Sequence, residues 1–476
     1  MLFNSAIFFE FLPLILVAYW FSPWLKLQKG ILIVASLVFY GWWDWRFLGL
    51  LIFVILSVCA AHRLILVSRV QGRDRRALIY LWLCIGLQLL VLAFFKYFNF
   101  FQENLLTVLE YLGLAHSKPF LRVLLPVGIS FYTFHAITLV VDTYRGNISR
   151  CVKLADVALY ISFFPQLMAG PIVRATVFLP QLESRRTINH QDVVTALQAI
   201  VTGFLYKVGF SDTITPFVDQ IFQRPASFSA LSLFAGALGF YAQIYFDFNG
   251  YSLIAIGLSR LFGYRLPDNF DFPYAATSLS DFWRRWHISL SSWLRDYLYI
   301  PLGGNRHGLH RQLRNLIITM LLGGLWHGAS WNFVLWGALH GSLLCLERLV
   351  HPHPEKGTQS RGLFSIPSFS VFPKWVLTQA FVFICWVPFR AHTFDDTITF
   401  FQRMFTGAIS TEITPIPWAI LVLPILCDTW VVSRLRTTSP RAFFRLEVVL
   451  PFLVLSGLAV CLIAKIGLRT FIYFQF

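Results

Sequence analysis

A histidine lies inside a long stretch of sequence without charges. Residues 315–346 contain no Asp, Glu, Lys or Arg, and His327 falls within them. Counted from Arg314, the preceding charged residue, His327 would lie about 20 Å along a helix that rises about 1.5 Å per residue. That depth is more than half of a hydrocarbon core about 30 Å thick. Because an ionisable group is costly at such depth, a functional role is the default interpretation.

Histidine suits general base catalysis, because its ordinary pKa lies near neutrality. The sequence has no serine nucleophile motif, phosphate-binding loop or dinucleotide fingerprint. Its seven cysteines are scattered without a metal-ligand spacing, so no metal site is predicted. The compatible chemistry is group transfer to a hydroxyl. On one continuous helix, His340 would lie about 20 Å from His327, so we assign His340 to a hydrogen-bonded structural role.

A second group of candidate residues lies in an arginine-rich segment. If residues 280–297 form one helix, aromatic side chains share one face, and Arg284, His287 and Arg295 share a separate polar stripe. An interfacial helix at the cytoplasmic membrane surface explains this pattern without a ligand. The alternative is a site for a phosphate-bearing donor, because the arginine fork matches phosphate geometry. Two glycines before Arg306 would allow close approach of a ligand, although a turn explains them equally well.

The elements that must position these residues are apolar. The chain of 476 residues is 57% hydrophobic and 13% charged, with a mean hydropathy of +0.64. The longer charge-free stretches are 77–95, 123–141, 157–173, 225–246, 315–346 and 448–464. Such stretches are typical of transmembrane helices, and the alternation of a membrane β-barrel is missing from the sequence. We predict an all-α, polytopic membrane protein.

The charges in the loops predict a topology. Lys26 and Lys29 follow the first apolar stretch, and five arginines follow the third. Loops rich in Lys and Arg lie in the cytoplasm, so the N-terminus is predicted outside, and 97–121 is the predicted outer loop. The same rule explains the net charge of +16 without a nucleic-acid partner. The N-terminus lacks signal-peptide features, so we expect the first helix to remain in the mature protein.

Two apolar stretches have basic residues on both sides. Residues 157–173 are interrupted by two prolines and a glycine, and residues 315–346 are long for a single span. Each stretch is interpreted either as a re-entrant segment or as a single kinked or tilted helix. In the second stretch, the available bend points are the pair Gly323–Gly324 and Gly328. A hairpin would place His327 near its tip, inside the membrane.

Several motifs resemble those of the membrane-bound O-acyltransferase family, in particular its bacterial branch of alginate O-acetyltransferase-like proteins. The matching segments are Pro126–Phe134, Asp142–Gly146, Phe164–Pro171, Tyr245–Tyr251, Asp281–His287, Pro301–Arg306 and Trp326–Trp331. The resemblance covers essentially the whole chain. It implies that His327 matches the catalytic histidine of the family and that His287 matches its second polar position.

The resemblance also implies a fold and an activity. The fold would be a ring-like bundle with re-entrant segments and a thinned centre, forming one domain over residues 1–476 with about ten to twelve membrane segments. The activity would be transfer of acetyl from a cytoplasmic thioester, acetyl-CoA or an acyl carrier, onto an extracytoplasmic polysaccharide at the bacterial inner membrane. No bound cofactor is expected. A periplasmic SGNH-type partner is expected.

If that activity is correct, four arginines are the candidate donor-binding residues: Arg284, Arg285, Arg295 and Arg306. Two other functions stay open from the sequence. In the first, acetyl passes to a hydroxyl of the partner protein, which then modifies the glycan. In the second, the chain is a transporter that uses the same buried polar residues without catalysing a reaction.

Overall fold

The computed structural model describes residues 1–114, 121–350, 371–407, 425–426 and 428–429. The regular secondary structure within these ranges is helical, which confirms the predicted fold class. Five of the described helices are long and apolar enough to cross a membrane: Trp45–Val70, Asp74–Tyr111, His190–Gln223, Trp331–Val350 and Phe372–Arg390. The predicted apolar stretch 448–464 lies outside the described residues.

The chain divides into two compact units. The first unit comprises residues 1–197 and 254–267, and the second comprises residues 198–253 and those from 268 onward. The helices up to residue 178 belong to the first unit: α1 (Ala6–Phe21), α2 (Leu25–Gly41), α3 (Leu48–Val70), α4 (Asp74–Tyr111), α5 (Ile129–Tyr144), α6 (Leu154–Ser162), α7 (Phe164–Leu167) and α8 (Ala175–Phe178). Helices α9 (His190–Phe204) and α11 (Ala230–Leu261) contain residues of both units.

The remaining helices belong to the second unit, which also contains the candidate catalytic histidines. They are α10 (Asp212–Gln223), α12 (Leu279–Arg285), α13 (Ile288–Leu294), α14 (Leu309–His327), α15 (Trp331–Val350), α16 (Phe372–Arg390) and α17 (Phe394–Thr406). Two segments have π-helical geometry, Leu205–Ser211 and Arg295–Tyr299.

Helix α4 is longer than the sequence predicts. It continues to Tyr111, so residues 97–111 of the predicted outer loop are helical, and their side of the membrane stays a prediction. The Asn99 side chain donates to the Val123 carbonyl oxygen at 2.8 Å and accepts from the Val123 N–H at 3.0 Å. Gln102 donates to the carbonyl oxygen of Leu121 at 3.1 Å. Because the following segment forms hydrogen bonds with both of these side chains, they do not end the helix.

Several helices expose large apolar side chains. On α4, Leu83 is 64% exposed and Leu90 is 67% exposed, and on α16 Leu377 is 72% exposed. Contiguous apolar surface of this kind is unusual in water, whereas contact with lipid tails makes it stable. The exposed surface therefore agrees with a multi-pass membrane protein.

The stretch 157–173 is not one continuous helix. Helix α6 ends at Ser162, and α7 is a single turn with Pro165 near its start, as expected for a residue that cannot continue a preceding helix. Near the beginning of α6, Asp156 forms an ion pair with Lys29 of α2. This pair brings together two helix starts that the loop charges predict on the same side of the membrane. Re-entry of this stretch into the membrane stays a prediction.

Helices α14 and α15 form a hairpin whose turn begins at Gly328. A methyl group at Gly324 would lie 2.2 Å from the Phe333 carbonyl oxygen, and one at Gly337 would lie 2.5 Å from a carbonyl oxygen of α14. The two glycines therefore let the helix backbones touch. The hairpin agrees with one of the two interpretations of residues 315–346. Of the two bend points that the sequence offers, the turn uses Gly328, whereas Gly323 and Gly324 are helical.

We expect Gly324→Ala to destabilise the protein, because its methyl group would meet backbone atoms that cannot move aside. The cost should reach or exceed the roughly 1–3 kcal/mol typical of overpacked cores. The measurement is the apparent Tm of the detergent-solubilised protein. Gly323→Ala is the matched control, because its methyl group would lie 3.3 Å from a flexible leucine side-chain atom. Equal Tm values for the two variants would contradict the assignment of Gly324 to the helix contact.

Candidate active site

His327 is the last residue of α14, and its side chain is only 4% exposed. Four aromatic rings of the described chain pack around the imidazole. The distances between ring centroids are 4.9 Å to Trp326, 5.1 Å to Trp336, 5.1 Å to Phe389 and 6.4 Å to Phe333. We call these four rings the aromatic box. The predicted burial of His327 is therefore confirmed, and its immediate surroundings are largely apolar.

Gly328 explains how the aromatic box closes beside the turn. The Phe333 ring lies nearly parallel to His327, at an interplanar angle of 26°. A methyl group at Gly328 would lie 2.0 Å from the Cε2 atom of Phe333. The glycine after His327 therefore leaves the space that Phe333 occupies.

His287 is a second buried histidine, and it interrupts the helix that the sequence predicts over 280–297. Its φ angle is +42°, in the left-handed region, and it separates α12 from α13. The prediction of one continuous helix, and of a polar stripe along it, was therefore wrong. The imidazole is fully buried, 4.6 Å from the Phe248 ring and 5.9 Å from Trp326. Trp326 thus contacts the rings of both His287 and His327.

Asn269 explains why the chain turns at His287. Its side-chain oxygen lies 3.0 Å from Nδ1 of His287 and accepts from the Ser289 hydroxyl at 2.8 Å and the Ser289 N–H at 3.3 Å. Its backbone oxygen accepts from the N–H of Ile288 at 2.9 Å, and its side-chain nitrogen donates to the Ser252 hydroxyl at 3.0 Å. Asn269 therefore satisfies N–H groups at the start of α13 that a helix leaves unpaired.

The environment of His287 keeps its imidazole neutral. His287 lies outside the helices long enough to cross a membrane, and burial lowers its pKa to about 3. Its contacts are an uncharged amide and aromatic rings, which do not stabilise an imidazolium.

The sequence did not identify Asn269 as part of the site, because it lies 18 residues before His287 in a segment without helical periodicity. In the sequence, Asn269 stands out only as a single amide residue between Asp268 and Phe270. That signal alone does not distinguish a site residue from a loop residue.

The four candidate donor-binding arginines have different surroundings. Arg285 is half-buried and donates to Asp281 at 3.0 Å, and Arg295 pairs with Asp296 at 2.7 Å. Arg284 and Arg306 are exposed. The neighbouring carboxylates reduce the positive charge that Arg285 and Arg295 present to an anionic donor. Donor binding by the four arginines stays a prediction.

His340 differs from the expectation of a hydrogen-bonded structural residue. It is fully buried, and both ring nitrogens lack a hydrogen-bond partner among the described residues. Because α14 and α15 form a hairpin, His340 is also closer to the site than a single helix would allow. The Trp336 ring lies 4.5 Å from His340 and 5.1 Å from His327, so it contacts both imidazoles.

The fold and the site together define a class, a multi-pass helical membrane protein with buried histidines suited to acid–base chemistry. The family model of the membrane-bound O-acyltransferases (MBOAT) matches residues 7–387, which include His287 and His327. The chain belongs to this family and is an O-acyltransferase. It is therefore an enzyme, and the transporter interpretation is set aside.

Curated relatives support the assignment over most of the chain. The probable alginate O-acetylase AlgI of Azotobacter vinelandii is 40% identical over 411 residues, which cover 85% of this chain and 78% of the relative. The peptidoglycan O-acetyltransferase of Helicobacter pylori is 35% identical over 439 residues, covering 85% of this chain and 80% of the relative. The teichoic acid D-alanyltransferase of Streptococcus thermophilus is 31% identical over 233 residues, covering 45% of this chain and 55% of the relative.

Proposed function

We propose that this enzyme transfers acetyl from a cytoplasmic thioester, acetyl-CoA or an acyl carrier, for O-acetylation of an extracytoplasmic polysaccharide. An alginate-like exopolysaccharide is the preferred acceptor, because the alginate O-acetylase of Azotobacter vinelandii shares 40% identity over 85% of the chain. The observation that carries the proposal is the enclosure of an ionisable side chain, His327, by the aromatic box.

In the proposed reaction, His327 accepts the proton of the acceptor hydroxyl while the hydroxyl oxygen bonds to the thioester carbonyl carbon. The carbon–sulfur bond then breaks, and the imidazolium returns the proton to the leaving thiolate. His287 orients or polarises the reactants. Arg284, Arg285, Arg295 and Arg306 steer the donor from the cytoplasm. The aromatic box excludes water that would otherwise hydrolyse the thioester.

The proposed location is the bacterial inner membrane, with the N-terminus extracytoplasmic. The loop charges support this orientation, since Lys26 and Lys29 lie on the opposite side of α1 from the N-terminus. Transfer to the periplasmic side would suit a periplasmic SGNH-type partner that handles the glycan.

Replacing His327 by alanine should remove O-acetylation, because no base then accepts the hydroxyl proton. The measurement is base-labile acetate on the exopolysaccharide of cells that carry the variant. His310→Ala is the matched control, because His310 lies on the same helix and is exposed. Wild-type acetate in the His327→Ala strain, at normal protein levels, would contradict the proposal.

We expect the purified enzyme to acetylate the glycan directly. The assay combines the enzyme with acetyl-CoA and deacetylated alginate, and it measures acetyl ester on the polymer. If ester forms only after a periplasmic partner is added, and the partner first carries the acetyl group on its own hydroxyl, direct transfer is wrong. The relay would then be the function.

The topology is tested with a membrane-impermeant maleimide on spheroplasts. Cys151 is exposed and lies in a predicted cytoplasmic loop, whereas Arg46 lies between α2 and α3, on the predicted outer side. We expect Arg46→Cys in a Cys151→Ser background to be labelled in intact spheroplasts. Cys151 of the wild type should be labelled only in inverted vesicles. The reverse pattern would contradict an extracytoplasmic N-terminus.

A further inference from the structure

The side-chain amide of Asn269 has a defined orientation. The N–H of Ser289 can only donate, so the amide atom that faces it at 3.3 Å is the oxygen, Oδ1. The amide nitrogen then points to the Ser252 hydroxyl, 3.0 Å away. This assignment uses a backbone donor and does not depend on the state of any titratable group.

The same oxygen determines which nitrogen of His287 carries the proton. Oδ1 of Asn269 lies 3.0 Å from Nδ1 of His287, and an amide oxygen can only accept. Nδ1 therefore donates. A neutral imidazole has one N–H, so the lone pair is on Nε2. Nε2 is buried and lacks a hydrogen-bond partner among the described residues.

We propose that Asn269 is a positioning residue for acyl transfer, which holds His287 in the Nδ1–H tautomer so that its buried Nε2 accepts a hydrogen bond from a reactant. This proposal rests on the proposed function and narrows the role of His287 within it. An imidazole whose Nε2 carries a lone pair cannot donate to the thioester carbonyl oxygen through that atom. Its partner must instead be a donor other than the hydroxyl that His327 deprotonates, such as a neighbouring hydroxyl of the glycan.

The backbone conformation of His287 also indicates that surrounding contacts hold this residue in place. A left-handed conformation is strained at a residue other than glycine and persists where surrounding contacts fix it. At His287, the contacts are the hydrogen bonds of Asn269 to the first residues of α13 and the Phe248 ring against the imidazole. The same amide residue therefore fixes the turn, the ring orientation and the tautomer.

Two substitutions of similar size separate the hydrogen-bonding role from simple space filling. Asn269→Asp keeps an oxygen that accepts from Nδ1, whereas Asn269→Leu removes it. We expect Asn269→Leu to lower kcat on the order of 10²-fold, the lower end of what general acid–base groups contribute, with KM for acetyl-CoA little changed. Asn269→Asp should restore most of kcat. Ser289→Ala is the matched control, since it removes a hydrogen bond to Oδ1 and leaves the His287 contact.

The tautomer itself is measured by ¹⁵N NMR of histidine-labelled enzyme without substrate, with the His287 signals assigned by their loss in His287→Gln. We expect a protonated Nδ1 and an unprotonated Nε2 in the wild type and in Ser289→Ala, and loss of this fixed state in Asn269→Leu. An Nε2–H tautomer in the wild type would overturn the proposal. Wild-type kcat in folded Asn269→Leu, or equal loss in the Leu and Asp variants, would overturn it as well.

The NMR experiment also separates this proposal from the proposed function. The tautomer is measured in the resting enzyme, so it does not depend on which acyl group or acceptor the enzyme uses. If acetyl transfer to polysaccharide were wrong, the Nδ1–H tautomer would still be observed. If the proposal for Asn269 were wrong, the NMR spectrum would lack the Nδ1–H tautomer, while the enzyme could still transfer acetyl.

Discussion

The backbone contact between α14 and α15 fixes where His327 lies. Gly324 touches the carbonyl group of Phe333, and Gly337 touches the backbone of α14. Phe333 belongs to the aromatic box, and Trp336, another member, directly precedes Gly337. A side chain at either glycine would separate the helices and move these rings away from the imidazole. The position of His327 therefore depends on two glycines that have no chemical role.

The two candidate catalytic histidines are held by different forces. Apolar rings enclose His327, and this packing fixes its position while excluding water. Hydrogen bonds that Asn269 accepts fix His287, including the direction of its ring. Trp326 contacts both imidazoles. Acid–base catalysis needs side chains of defined position and defined protonation. The ring packing defines the position of His327, and the hydrogen bond to Asn269 defines the protonated nitrogen of His287.

The sequence predicts those features that are determined by residues close together along the chain. The charge-free stretch 315–346 was enough to predict the burial of His327, and basic residues on both of its sides suggested a hairpin. The break at His287 could not be predicted, because Asn269 and Phe248, which determine it, are distant in the sequence. A regular apolar face over 280–297 suggested a helix, and its residues Phe282, Trp286, Leu290 and Trp293 are indeed buried despite the break.

Charged residues in the sequence do not show which partners they have in the fold. In α4, Glu103 and Glu110 suggested a loop after residue 96, but Asn99 is paired with a later segment and the helix continues to Tyr111. In the arginine-rich segment, donor binding by Arg285 stays a prediction, and Asp281 four residues earlier already forms a helical ion pair with this arginine. A charge count over a segment does not reveal which charges are already paired.

We propose that His327 acts on bond making and not on donor binding or folding. Acetyl-CoA binding and acetyl transfer are compared in one preparation of folded His327→Ala enzyme. We expect an unchanged Kd for acetyl-CoA and a transfer rate lower by about 10²- to 10⁴-fold. Transfer at the wild-type rate would contradict the proposal, as would a loss of transfer fully explained by a loss of donor binding.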